Sequence, residues 1–148
     1  MKKLYIVLLV SLLLIFAGCS TSELKNEIDL EGTPKVESML VAFNEGNYAG
    51  FSKDFGPLMQ GAMTEENFIG VLRPTITEII GEYEEGTLTL EKVTKQEHEG
   101  VSYISAIYKG TFTDEDGDVA VTIWFTDDDD MKIETLILNS PKLVNIYG

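Results

Sequence analysis

The hydrophobic pattern of this chain changes period once, and that change limits the folds open to it. Between Thr33 and Gly81, apolar residues recur at intervals of three and four, which is typical of helices that bury one face. After Gly81, four runs are rich in β-branched and aromatic residues and are separated by short polar segments, which is typical of strands: 88–93, 101–112, 119–126 and 131–139. We therefore expect an α+β domain, with N-terminal helices packed on a curved four-stranded antiparallel meander sheet.

The helical half contains recognisable start and stop signals. Thr33 is predicted to cap the first helix, with Pro34 at its first helical position and Gly46 as its stop. A short helix is predicted over residues 48–55, and a loop over residues 58–63. Six phenylalanines are expected to form core rather than a ligand site: Phe43, Phe51, Phe55, Phe68, Phe112 and Phe125.

The next helix is predicted to begin after Thr64, whose hydroxyl suits an N-cap, and to end at Gly81. Pro74 lies inside this helix. It cannot donate a hydrogen bond to the carbonyl group four residues earlier, and we therefore expect a kink there.

The strongest hairpin signal is Asp116-Gly117, a dipeptide that favours a two-residue type I′ turn. A turn at this position pairs Tyr108 with Phe125 on the core face of the sheet. On the opposite face it pairs Lys109 with Trp124. The sequence therefore predicts both the separation of the two faces and a specific register between the second and third strands.

The face away from the core is mostly polar in this register, but it also contains Ile107 and Trp124. Together with Lys109 they form a candidate partner surface, for a protein partner or a homodimer. The alternative is that residues 141–147 cover these side chains.

The N-terminus has the pattern of a signal peptide, predicted over residues 1–18. Two lysines precede residues 4–17, in which only Ser11 is polar. As a helix this segment is about 21 Å long at about 1.5 Å per residue, shorter than a bilayer core of about 30 Å. It therefore suits the apolar region of a signal peptide better than a transmembrane span.

The four residues Phe16-Ala17-Gly18-Cys19 resemble the lipobox of bacterial lipoproteins, although Phe16 stands where an aliphatic residue is usual. The resemblance implies a lipid on the Cys19 thiol, cleavage before Cys19, and a location outside the cytoplasm on the cell membrane or envelope. Cys19 is the only cysteine, which excludes a disulfide within the chain. An ordinary secretory signal or an anchoring helix remains the alternative.

The charge of the chain excludes one class of partner. From Cys19 onward, nine Lys and Arg residues accompany 25 Asp and Glu residues, a formal charge of −16. A phosphate backbone binds clustered basic residues, and we therefore expect no nucleic acid partner.

Residues 19–32 are predicted to be a lipidated tether, spanning about 20 Å if flexible. Leu24 and Ile28 also permit a short helix there. The domain itself is predicted over residues 33–148.

Three short motifs follow one another in the helical half: Phe43-Asn44-Glu45-Gly46-Asn47-Tyr48, Met63-Thr64-Glu65-Glu66 and Gly81-Glu82-Tyr83. With the order of elements, they resemble the cystatin-like roll of the nuclear-transport-factor-2 superfamily. More narrowly, residues 34–139 resemble small prokaryotic lipoproteins of domain-of-unknown-function family 3887. The resemblance implies a roll fold and an envelope location, and it brings no established activity.

Rolls of this type can enclose an apolar cavity, and some relatives use a carboxylate and a tyrosine there for proton transfer. A small apolar ligand or a small-molecule enzyme is therefore conceivable. The side chains available for such chemistry are Tyr48, Asp54, Tyr83, Glu91, Tyr103 and Tyr108.

Two acidic segments are candidate cation sites. The segment 114–118 lacks the glycine at position six and the glutamate at position twelve of an EF-hand loop, and we interpret it as a solvated turn. Residues 127–130 are expected near 97–99, where a low-affinity divalent-cation site is the alternative to a solvated rim. His98, the only histidine, is expected to be exposed. No cofactor and no resident metal are expected.

We therefore predict a non-enzymatic, lipid-anchored interaction or small-ligand-binding module. An enzyme that uses a buried carboxylate and tyrosine is the first alternative. A cation-responsive surface protein is the second.

Overall fold

A four-stranded antiparallel sheet forms the second half of the fold in the computed structural model, which describes residues 21–147. Its strands run in sequence order: β1 (Thr89–His98), β2 (Val101–Gly110), β3 (Val119–Thr126) and β4 (Ile133–Asn139). Helices precede the sheet, so that the predicted α+β order of helices followed by an antiparallel meander is confirmed. The predicted signal peptide and Cys19 lie outside the described residues.

Six α-helices and two π-helical turns make up the helical part of residues 21–147, besides a helical segment at 21–27. The α-helices are α1 (Thr33–Glu45), α2 (Tyr48–Phe51), α3 (Pro57–Ala62), α4 (Glu65–Asn67), α5 (Arg73–Ile80) and α6 (Pro141–Tyr147). The π turns are Ile28–Gly32, before α1, and Phe68–Leu72, before α5.

The core lies between the helices and one face of the sheet, which we call the inner face. All six phenylalanines predicted to be core are buried. Phe51 stacks on Phe68 with ring centroids 4.4 Å apart, and Phe43 contacts both rings. Complete burial of one such side chain contributes roughly 1.5–3 kcal/mol, so that this aromatic group is a main source of stability.

The segment predicted as a flexible tether is helical where the structure describes it. Residues 21–32 continue into α1, and Ile28 is fully buried. Gly32 lies so close to the sheet that a Cβ atom there would be 3.0 Å from the Phe125 ring. Thr33 is consequently not an N-cap, and its hydroxyl lies 3.2 Å from the Ile28 carbonyl oxygen. The division of the chain into signal peptide, tether and domain stays a prediction.

Among residues 21–147, no helix has the length and apolarity needed to cross a bilayer.

The predicted register between β2 and β3 is wrong by four residues, although the two faces are separated as expected. Tyr108 pairs with Val121 and not with Phe125, and Lys109 pairs with Ala120 and not with Trp124. The cause lies in residues 111–114, which leave the hairpin. Thr111 and Thr113 form backbone hydrogen bonds with residues 82–84, so that the connection to β3 is a long loop rather than a two-residue turn.

The predicted loop at residues 58–63 contains a helix, α3, which the buried Glu134 holds on the sheet. One Glu134 carboxylate oxygen accepts hydrogen bonds from the backbone N–H groups of Leu58, at 2.8 Å, and Met59, at 3.3 Å. These are orphan donors of the first helical turn, where negative charge is favourable. Glu134 has no partner residue on β3, because the pairing between β3 and β4 shifts register there. Trp124 lies opposite Thr135, and Phe125 lies opposite Ile133.

The stop signal at Gly46 and the N-cap at Thr64 are confirmed, and the kink at Pro74 stays a prediction. Gly46 ends α1 with a φ of 67°, in the left-handed region that favours glycine. The Thr64 hydroxyl accepts a hydrogen bond from the Asn67 N–H, as an N-cap does. Around Pro74 the helix widens into the π turn Phe68–Leu72 immediately before α5, which accommodates a proline that cannot donate its hydrogen bond.

The contact between Glu134 and Gly56 predicts a non-additive pair of substitutions. Glu134→Ala removes two charge-assisted hydrogen bonds, and we expect a loss of about 2–4 kcal/mol in the free energy of unfolding. Gly56→Ala places a Cβ atom 2.3 Å from the Glu134 carboxyl carbon and should cost about 1–3 kcal/mol. Chemical denaturation of both single variants and the double variant measures these losses.

In the double variant the carboxylate is absent, so that Gly56→Ala should cost little there. The Gly56 φ of −83° is accessible to alanine, which leaves the clash as the expected cause of the loss. Strict additivity of the two losses would contradict this account.

Candidate functional site

A groove of about 510 Å³ opens between the helices and the free edge of β4. Its lining is aliphatic and thioether side chains with one amide. The lining residues are Met59, Met63, Leu72, Ile76, Leu136, Ile137, Leu138, Asn139, Leu143 and Val144. Sequence reasoning did not identify these residues as a site, because they come from separate parts of the chain that only the tertiary fold brings together.

The groove exists because the cover over β4 is incomplete. Leu136 and Leu138 pair with Ile123 and Val121, which places them on the inner face, yet both are only half-buried. At the start of β4, the backbone around Phe55 pairs with Ile133 and occupies the strand edge. Beyond that point the edge is open to the groove.

Helix α6 forms one wall of the groove and is fixed to the loop 114–118. Leu143 is buried, and the Lys142 N–H donates a hydrogen bond of 3.2 Å to Glu115. The Lys142 ammonium group donates to the Asp114 carbonyl oxygen. A hydrogen bond from Ser140 is the main cause that lowers the pKa of Glu115. Residues 141–147 therefore pack against α5 and β4, on the side of the groove.

A second cavity, of about 440 Å³, lies on the other side of α6. Glu78 and Ile79 of α5 and Lys142, Asn145 and Ile146 of α6 line it. Helix α6 is therefore flanked by two cavities, and Leu143 is its buried apolar contact.

The lining of the groove determines its chemistry. None of the ten lining side chains is titratable, although 24% of the chain is charged. Asn139 is the only lining side chain with a hydrogen-bonding amide. The groove can therefore bury an apolar molecule, and its lining offers no group for general acid–base catalysis.

A tyrosine–carboxylate pair does occur in the fold, away from the groove lining. The Tyr83 hydroxyl donates a hydrogen bond of 2.6 Å to Glu37 and accepts one from the Leu88 N–H. The other Glu37 oxygen accepts from the Gly86 N–H at 2.8 Å. Burial first, and then the bond to Glu37, raises the pKa of Tyr83 to about 12. The Tyr83 hydroxyl and both Glu37 carboxylate oxygens therefore form hydrogen bonds within the protein, which indicates a structural role for the pair.

Glu37 was missed as a partner because only the tertiary fold brings α1 to Tyr83. The other candidates for proton transfer are dispersed. Tyr108 is fully buried, which raises its pKa to about 12, and Tyr48 donates to the Met63 carbonyl oxygen at 2.7 Å. None of the six candidate side chains lines the groove.

Two of those candidates lie on the sheet. Glu91 is 3.5 Å from the Lys109 ammonium group at an irregularity in β1, and Tyr103 lies against Trp124. Asp54 contributes its backbone, since its carbonyl oxygen accepts a hydrogen bond from the Ile133 N–H.

The two acidic turns at residues 97–99 and 127–130 lie at the same end of the sheet, as expected. Asp127 accepts hydrogen bonds from Lys95 at 3.0 Å and from Ser102 at 2.8 Å, and these bonds lower its pKa. One Asp128 oxygen accepts from the backbone N–H groups of Asp130 and Met131. Within residues 21–147, no three His, Cys, Asp or Glu side chains are grouped to hold a metal ion.

The sheet face opposite the core, here called the outer face, presents four cross-strand rows. They are Thr89, Lys109, Ala120 and Asn139; Lys92, Ile107, Thr122 and Ile137; Thr94, Ser105, Trp124 and Thr135; and Gln96, Tyr103 and Thr126. His98 and Val101 continue this face at the turn.

The candidate partner surface is therefore arranged differently from the prediction. The half-buried Trp124 is flanked by Tyr103, with ring centroids 5.8 Å apart, and by His98, at 6.4 Å. Lys109 lies two rows away and pairs electrostatically with Glu91. The role of Ile107, Lys109 and Trp124 in binding a partner stays a prediction.

Comparison with family models, curated proteins and solved structures finds no match for this chain. Its fold and site define an α+β domain with an apolar groove beside an edge strand and a mostly polar outer sheet face.

The Tyr83–Glu37 pair predicts how stability depends on alkaline pH. The pKa of Tyr83 in the folded protein is above the ordinary value of 10, which means that folding favours the protonated phenol. This contribution is fully present below pH 10 and is lost as the pH rises toward about 12. We expect the unfolding free energy of Tyr83→Phe to fall less steeply across this window than that of the wild type, measured by denaturation at each pH. Equal slopes would contradict this account.

Proposed function

We propose that this protein is a lipid-anchored, extracytoplasmic binding module that holds a small apolar ligand in the groove beside β4. The observation that carries the proposal is a groove of about 510 Å³ whose lining contains no titratable side chain. Ligand sites in proteins have volumes of about 300–1,000 Å³ and are mostly apolar, with a few polar groups that orient the ligand.

The lining favours a neutral, largely aliphatic ligand. A charged ligand would lose hydration without gaining an ionic partner, a large cost in an apolar site. Each Å² of apolar surface removed from water contributes roughly 25 cal/mol, so that complementary shape alone can support binding. Asn139 lies at the C-terminal end of β4, where its amide can orient one polar group of the ligand.

A non-enzymatic role is supported by the environment of the nearby carboxylate. Glu134 binds the N–H groups of Leu58 and Met59, and Met59 lines the groove. A carboxylate engaged in this way anchors α3. It is not positioned to remove a proton from a ligand.

The helices-then-sheet order supports a cystatin-like roll, and the motifs in the helical half support kinship with lipoproteins of domain-of-unknown-function family 3887. The lipobox residues Phe16-Ala17-Gly18-Cys19 support the lipid anchor and a location at the cell membrane or envelope. Two acyl chains give stable anchoring where one gives marginal binding.

The anchor predicts that Cys19→Ser abolishes lipid attachment. We expect the wild type, expressed in bacteria fed an alkyne-bearing fatty acid, to incorporate the label and sediment with membranes. Cys19→Ser removes the thiol that would be acylated and should incorporate none. Click labelling followed by gel fluorescence measures the outcome, and equal labelling of the two proteins would contradict the anchor.

The groove predicts specific photolabelling by a neutral aliphatic probe. We expect a diazirine-bearing decanol to form adducts within the peptides that contain Met59, Met63 or residues 136–139, and excess unlabelled decanol to compete. Val144→Trp should reduce adduct formation several-fold, because the indole ring would occupy the groove. Peptide mass spectrometry of the full-length protein locates the adducts.

Ile146→Trp is the matched control, since Ile146 is an exposed residue of α6 that lines the other cavity. This variant should label like the wild type. Adducts distributed over the surface, or equal labelling in Val144→Trp, would contradict a ligand site in the groove.

A further inference from the structure

The outer face differs in charge from the rest of this acidic protein. Its four rows contain no Asp or Glu, although the chain has 25 of them, and their charged side chains are Lys92 and Lys109. The nearest strand carboxylate on the exposed side is Glu91, at the irregularity in β1, and it is already 3.5 Å from the Lys109 ammonium group. The core that the helices bury lies on the inner face, and among the residues of the four outer rows only Tyr103 and Ser105 are buried.

An aromatic side chain stands in the middle of this surface. Trp124 is half-buried on β3, one of the two central strands, between Tyr103 and His98. An indole ring held by neighbouring rings presents a rigid apolar platform at low entropic cost, with one polar N–H.

Hydroxyl groups surround the platform, and the fold does not use them. Thr94 and Thr135 lie in the same cross-strand row as Trp124, and Thr122 lies on the same strand two residues away. All three threonines are half-buried, and their hydroxyls form no hydrogen bond with any residue in 21–147. They are consequently free to donate and accept hydrogen bonds.

The charges on the protein limit the partner. An anionic partner would be repelled by the acidic turns at both ends of the sheet, and a cationic partner would favour those turns over this face. A face without carboxylates, with an aromatic platform and free hydroxyls, complements a neutral partner that is itself rich in hydroxyls. Sugars have this chemistry, since a pyranose ring combines an apolar C–H face with a rim of hydroxyl groups.

We propose that the outer face binds a neutral oligosaccharide, with one sugar ring packed on Trp124 and neighbouring hydroxyls bonded to Thr94, Thr122 and Thr135. The row containing Trp124 crosses all four strands, about 14 Å at about 4.8 Å between neighbouring strands. That length suits an oligosaccharide rather than a single sugar. None of these four contacts lines the apolar groove, which shares Ile137 and Asn139 with the β4 side of this face.

The test uses the fact that Trp124 is the only tryptophan in the chain, so that tryptophan fluorescence, excited selectively over that of the six tyrosines, reports on this face. The full-length protein, in a detergent without a sugar headgroup, is titrated with chitohexaose and with cellohexaose. We expect a saturable change in tryptophan emission with at least one of them. No saturable change with either hexasaccharide overturns the proposal.

Isosteric variants separate binding from folding. Thr122→Val and Thr135→Val keep the shape and Trp124 but remove a hydroxyl, and each should weaken binding about 2- to 10-fold. Thr89→Val, at the far end of the same face, is the matched control and should bind like the wild type. Equal weakening by all three variants overturns the proposal. A second result would also overturn it: tryptophan emission that changes with protein concentration but not with sugar, together with dimers in analytical ultracentrifugation. In that case the outer face binds a second copy of the chain.

Discussion

The architecture depends on the burial of a single sheet face by a single layer of helices. Four antiparallel strands offer two faces and two edges, and the helices between residues 21 and 80 pack on one face alone. The core aromatic residues belong to this interface. Both binding proposals concern surfaces outside this core, the free part of the β4 edge and the outer face. A single layer of helices can bury only one face of a sheet, and the remaining surface is therefore available for binding.

The features that the sequence predicted correctly are those with a local physical cause. Alternation of side chains separated the two faces of β2 and β3 correctly even though the register was wrong, because a displacement of four residues preserves the face. Gly46 and Thr64 act as expected because a left-handed stop and an N-cap depend on neighbouring residues alone. The strand order was also predicted correctly, although the connection between β2 and β3 is longer than expected.

The features that were missed depend on long-range contacts. The two-residue turn predicted at Asp116-Gly117 does not form, because residues 111–114 form backbone hydrogen bonds with residues 80–84. No local sequence pattern indicates this long-range contact. Glu134 became a helix anchor because a register shift leaves it beside Leu58. The groove could not be anticipated for the same reason, since its lining is assembled from α3, α5, α6 and β4. Trp124 was singled out correctly as an outward aromatic residue, but its neighbours required the true register.

The continuous helix at the start of the described chain has a mechanical consequence. The first described residue, Thr21, is helical and lies two positions after the cysteine proposed to be acylated, and the buried Ile28 and close-packed Gly32 join this helix firmly to the sheet. Two residues extend at most about 7 Å. A lipid on Cys19 would therefore act as a short pivot, confining the domain to a thin layer above the bilayer. Such confinement raises the effective concentration of its binding surfaces toward whatever lies within that layer.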